Sequence, residues 1–167
     1  VQTLSLEDWR ACLAVGLDGT FLTARWAARV LGDQGSGLLL LTASTAGLHG
    51  YPGRLPYAAA KWGVIGMMKS LAMELGPSGV RVNALCPGAV EGPRMDRVVA
   101  AEAAAGGETE ATARARYVQG VSLRSWVRAE DVASAALFLA SSAGARISGQ
   151  ALAVDGHTET LGPWEGT

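Results

Sequence analysis

Three short stretches limit what this chain can fold into: Leu38–Thr42, Val80–Cys86 and Gln150–Val154. Leu38–Leu41 is an unbroken apolar run, and the other two are short, mostly apolar segments that read as further strands. A run without polar alternation fits a strand covered on both faces, as happens in a parallel sheet. The segments between them carry helical spacing. Strands that alternate with helices imply a parallel sheet with crossover connections. No repeat or low-complexity linker interrupts the order, so residues 1–167 read as a single domain.

The helical segments are expected as follows. Leu6 to Leu31 has Trp9, Leu13, Leu17, Phe21, Ala24 and Ala28 at helical spacing, behind Ser5 as N-cap and Asp8 in a loose capping box. Gly32–Gly37 is a turn. A loop from Gly47 to Pro56 leads into a second helix over Tyr57–Leu75, stopped by Gly76-Pro77-Ser78-Gly79. Glu91–Gln119 is polar and alanine-rich, helical in part and surface-lying. A third helix spans Ala129–Ala140, with Glu130 and Asp131 near its positive end.

Composition excludes several partners. Charged residues make up 17% of the chain and the formal net charge is -1, so no field is available to hold nucleic acid or an anionic membrane. No apolar run approaches the roughly 20 residues needed to span a bilayer. Cys12 and Cys86 have neither zinc spacing nor a disulfide framework and read as small core residues in a reducing, cytoplasmic compartment. His49 and His157 lack partners at metal spacing, so no metal is expected. His49 reads as a solvated loop residue and His157 as a possible oligomer contact. Trp9, Trp26 and Trp126 read as packing residues, and Trp62 as a core or interface residue.

In a sheet of this kind, ligands bind beyond the carboxyl ends of the strands. Thr42–Thr45, Pro87–Val90 and the helix start at Tyr57 should meet there. Tyr57 and Lys61 stand four residues apart and share a helix face, one turn apart. A cation beside a phenol favours the phenolate and draws its pKa down from about 10. Such a tyrosine can exchange a proton with a carbonyl or alcohol oxygen. By itself the spacing is as consistent with a surface pair. Ser44, just after the first strand, offers a hydroxyl that can bond a substrate oxygen. Thr42 and Thr45 read as strand-end caps. Glu91, Arg94 and Met95 open the segment that would cover a substrate.

Several segments together resemble the short-chain dehydrogenase/reductase family: Leu39–Thr45, the loop with Gly47 and Gly53, Tyr57-Ala58-Ala59-Ala60-Lys61-Trp62-Gly63, Val80–Gly88, and Val154-Asp155-Gly156. The resemblance implies an α/β fold, a doubly wound parallel sheet of Rossmann type whose N-terminal half is missing from this chain. It implies an NAD(P)-dependent oxidoreductase that interconverts a secondary alcohol and a ketone. Tyr57 would be the general acid/base and Ser44 would polarise the substrate carbonyl. Lys61 would support Tyr57 and, with it, hold the nicotinamide ribose. Pro87, Gly88 and Val90 would line the nicotinamide pocket. NAD or NADP, a small-molecule substrate and a homo-oligomer, dimer or tetramer, paired through the two long helices, follow in the same way.

Three departures stand out. The family's glycine-rich phosphate-binding turn is absent from this sequence. Gly16 stands where the family has an asparagine whose carbonyl holds a relay water. Gly92 stands where a threonine often bonds the nicotinamide amide. The first departure motivates a second reading, a non-catalytic fragment or a binding or assembly module.

Overall fold

The computed structural model describes residues 1–158. The three apolar runs form strands β1 (Gly37–Thr42), β2 (Val80–Pro87) and β3 (Ala151–Val154), all parallel, in the order β1-β2-β3. Register pairs Leu39 with Val82, Leu41 with Ala84, and Pro87 with Val154. Strand β2 lies between two neighbours, and residues Val82 to Cys86 are all buried. That position explains why only Arg81 and Asn83 interrupt its apolar residues.

Helices α1 (Leu6–Leu13) and α2 (Gly19–Gln34) precede β1, and α3 (Leu55–Leu75) connects β1 to β2. The main core lies between β1, β2, α2 and α3. Ala24, Leu39, Leu41, Val64, Met68, Val82 and Cys86 fill it. Helices α4 (Pro93–Gly106) and α5 (Glu110–Gln119) form a small separate cluster around Val99, Ala103 and Ala113, against Tyr117 and Trp126. Helix α6 (Ala129–Ala140) leads to β3.

The Ser5 cap is realised, with its Oγ accepting the Asp8 N–H at 3.0 Å. So is the acidic start of α6, where the Arg128 N–H donates to Asp131 Oδ2 at 2.8 Å. The predicted continuous first helix is corrected in two ways. A π-turn over Ala14–Asp18 divides it, and its end lies at Gln34, where Gly35 takes φ 70° and closes the helix onto Leu31. The second helix begins at Leu55, with Pro56 in its first turn, so Tyr57 sits inside the helix. The polar stretch Glu91–Gln119 resolves into the α4–α5 pair. Trp26 is corrected from packing residue to exposed residue (68%), and Trp62 (51%) lies outside the core. His49 and Cys12 are both half-buried.

Candidate active site

The carboxyl ends of β1 and β2 converge with the start of α3. The Ala43 N–H donates to the Leu85 carbonyl at 2.8 Å, which carries the sheet pairing one residue past β1. The chain then turns into a short 3₁₀ turn, Thr45–Gly47, capped by Ser44, whose Oγ accepts the Ala46 N–H at 3.2 Å. The Ser44 hydroxyl keeps its own proton to give. Gly47 packs directly on α3: a β-carbon there would stand 2.8 Å from the Lys61 carbonyl oxygen. This close approach presses the Ser44 segment onto the Lys61 turn of the helix.

Lys61 is half-buried. Its Nζ donates to the Thr42 carbonyl at 2.9 Å and lies 5.7 Å from the Tyr57 ring centroid. An ammonium has three donors, so two remain after the Thr42 bond. Burial lowers the Lys61 pKa below its ordinary 10.5, and the positive charge of Arg94 lowers it further. The Tyr57 hydroxyl makes no hydrogen bond among the described residues. Beneath the site, burial pushes the Cys86 thiol up to about 11. It is a neutral group at neutral pH.

The segment Pro87–Glu91 is fixed by backbone bonds on both sides. The Gly88 N–H donates to the Val154 carbonyl at 3.0 Å. Val127 N–H donates to Ala89, and Glu91 N–H returns to Val127, bracketing Val90. A β-carbon at Gly88 would meet Asp155 Cβ at 2.9 Å. Asp155, buried, caps the following turn by accepting from His157 and Thr158 N–H groups. Pro87, Gly88 and Val90 therefore present a rigid backbone at the ends of β2 and β3.

Gly16 lies in the π-turn, where its carbonyl accepts the Thr20 hydroxyl at 3.0 Å. Its missing side chain lets the turn rest on α3 beside Lys61, since a β-carbon would stand 3.1 Å from Ala60 Cβ. The local helix distortion is thus present with glycine at this position.

Sequence reasoning missed a cluster beside the start of α3. Arg54, Glu102 and Tyr117 join through contacts distant in sequence. Arg54 Nη2 meets Glu102 Oε1 at 2.8 Å, and the Tyr117 hydroxyl donates to Glu102 Oε2 at 2.8 Å. Arg54 and Glu102 lie 48 residues apart, a separation no local pattern reveals. Among the described residues no cluster of His, Cys, Asp and Glu could hold a metal, and no helix is long and apolar enough to cross a membrane.

A family model described as "Enoyl-(Acyl carrier protein) reductase" matches residues 1–157. The chain belongs to this family, within the short-chain dehydrogenases/reductases. It is 34% identical over 157 residues to a D-beta-hydroxybutyrate dehydrogenase of Rhizobium meliloti (strain 1021), covering 93% of this chain and 61% of that one. An actinorhodin polyketide ketoreductase solved with NADPH superposes with TM-score 0.86 at 30% identity, over 93% of this chain and 60% of that one. A 4-hydroxyisoleucine dehydrogenase complexed with NADH superposes with TM-score 0.75 at 26% identity, over 97% and 63%. The fold is Rossmann-like, and the chain spans about 60% of the length of these relatives.

Proposed function

We propose that this chain carries the proton-transfer part of an NAD(P)-dependent oxidoreductase that interconverts a secondary alcohol and a ketone. One observation carries the reading. Tyr57 offers a hydroxyl with no hydrogen bond among the described residues, one helical turn from Lys61, whose Nζ is held 2.9 Å from the Thr42 carbonyl beside Ser44. Two donors left on Lys61 suit the vicinal hydroxyls of a nicotinamide ribose, so the donor set fits NAD or NADP. When bound, that cofactor supplies or accepts the hydride at the substrate carbon. In the reducing direction Ser44 donates a hydrogen bond to the carbonyl oxygen, and Tyr57 gives its phenolic proton to that oxygen as it becomes the alcohol. In the oxidising direction Tyr57 takes the proton back. The rigid backbone of Pro87, Gly88 and Val90 forms the wall for the nicotinamide ring.

The exposed apolar side chains of α2 and α3 support a homo-oligomer, and a reducing cytoplasm suits the two free thiols. The test follows NAD(P)H absorbance in the whole protein with a panel of small secondary alcohols and ketones. Ser44→Ala should lower turnover by about 10²-fold, the size of a lost oxyanion donor. Unchanged turnover would remove Ser44 from the reaction.

The shortened span relative to its relatives favours a second reading, a binding or assembly module without catalysis. Calorimetric titration of the 167-residue chain with NAD(P) separates the two. Saturable cofactor binding refutes the second reading, and its absence favours it.

A further inference from the structure

We propose that Glu102 is a latch that seats the α4–α5 pair on the start of α3, making Arg54, Glu102 and Tyr117 positioning residues for the substrate side of the site. Each Glu102 carboxylate oxygen has its own partner: Oε1 takes Arg54 and Oε2 takes Tyr117, both at 2.8 Å. Arg54 is the N-cap residue of α3, and its carbonyl accepts the Ala58 N–H at 2.9 Å. A pull on its side chain therefore reaches the first turn of the helix that bears Tyr57, three residues on. Tyr51, half-buried in the same loop, lies within electrostatic reach of Arg54, Glu102 and Tyr57.

Among the described residues, the remaining side-chain bonds of the pair do not reach α3 or the loop before it. Arg114 meets Asp96 at 2.8 Å and Glu91 at 3.4 Å, and packs over the Trp126 ring at 4.4 Å. Arg116 pairs with Glu108. The Tyr117 ring lies 5.3 Å from Trp126. These contacts make α4–α5 one body. Among the described residues, Arg54–Glu102 is the side-chain bond that ties this body to the loop before α3. Tyr117 remains a donor throughout the physiological range, because burial, followed by the Glu102 bond, pushes its pKa up to about 12. The cap's side-chain tie to the start of α3 therefore fails at that carboxylate, while Arg114 still holds it to Glu91 and Trp126.

The positioning role rests on the reading of Tyr57 above, whereas the latch does not, and two measurements on the whole protein keep them apart. Amide hydrogen exchange reads the latch. In Glu102→Ala, exchange across 93–119 should quicken about tenfold, the factor for a lost hydrogen bond to a charged group. Exchange in β1 and β2 should stay unchanged. Reversing the pair (Arg54→Glu with Glu102→Arg) should restore part of the protection. Should Glu102→Ala not fold, Glu102→Gln should show a smaller rise in the same segment. Unaltered exchange in 93–119 overturns the latch. Kinetics read the role: KM should rise about tenfold with kcat nearly unchanged, the pattern of lost binding. A fall in kcat at constant KM overturns the positioning role. A wild-type protein without turnover sinks the Tyr57 reading and leaves the exchange result standing.

Discussion

Lys61 is under opposing demands. Burial and the Arg94 charge disfavour its ammonium, while the Thr42 carbonyl accepts from it. Its folded pKa lies below the unfolded 10.5, so between those two values the unfolded chain binds more protons. Stability due to this group must therefore rise with pH across that window and level off above it. Cys86 acts in the opposite sense. Its pKa rises from 9.0 to about 11, so the folded state holds more protons there and stability falls over that range. The difference between wild type and Lys61→Met in urea unfolding, measured from pH 8 upward, isolates the lysine. Wild type should gain on the variant as pH rises, and Arg94→Gln should shrink that gain. Parallel curves would remove Lys61 from the account. Alkylation at pH 8 provides an independent check: native protein should label at Cys12 and spare Cys86, and denatured protein should label at both. Cys86 was legible as a core residue because it stands inside an apolar strand. The half-burial of Cys12 was not.

At the scale of elements, the strands were legible to within a residue, and the helices less so. Strand β1 prints a run of consecutive apolar residues, Leu38–Leu41, and β2 is apolar but for Arg81 and Asn83. The π-turn at Ala14–Asp18 left no such mark, since one extra residue in a turn scarcely disturbs helical spacing. Helices α4 and α5 were read as a partly helical surface because arginine–carboxylate bonds, rather than a broad apolar face, hold much of their contact. The loop between β1 and α3 gives a direct test of how the site is built. Gly47→Ala should cost about 1–3 kcal/mol, since its β-carbon meets α3 backbone that cannot move aside. Gly50→Ala, whose β-carbon meets nothing within 4 Å, should stay within about 0.5 kcal/mol. Equal costs in thermal or chemical melts would contradict the close packing of the Ser44 segment on Lys61.

At the scale of the whole molecule, the sheet among the described residues has three strands and β1 is an edge, while the relatives are half as long again. Phe21, Leu22 and Trp26 on α2, with Trp62 and Met73 on α3, are exposed apolar side chains. On the proposed reading, copies of the protein pair through this surface. Trp26→Glu should shift the whole protein toward monomer in analytical ultracentrifugation, and an unchanged mass would separate this surface from assembly. The proposed Ser44, Tyr57 and Lys61 site could be read from the sequence because its residues lie within 18 positions on either side of one loop. Its Arg54–Glu102–Tyr117 side was hidden because only the folded chain brings it together.

The central claim concerns the Tyr57 hydroxyl, and removing that one oxygen tests it. Tyr57→Phe in the whole protein should lower turnover by about 10²–10⁴-fold, while NAD(P) still binds saturably in calorimetry on the same sample. Turnover retained in Tyr57→Phe would contradict the assignment outright.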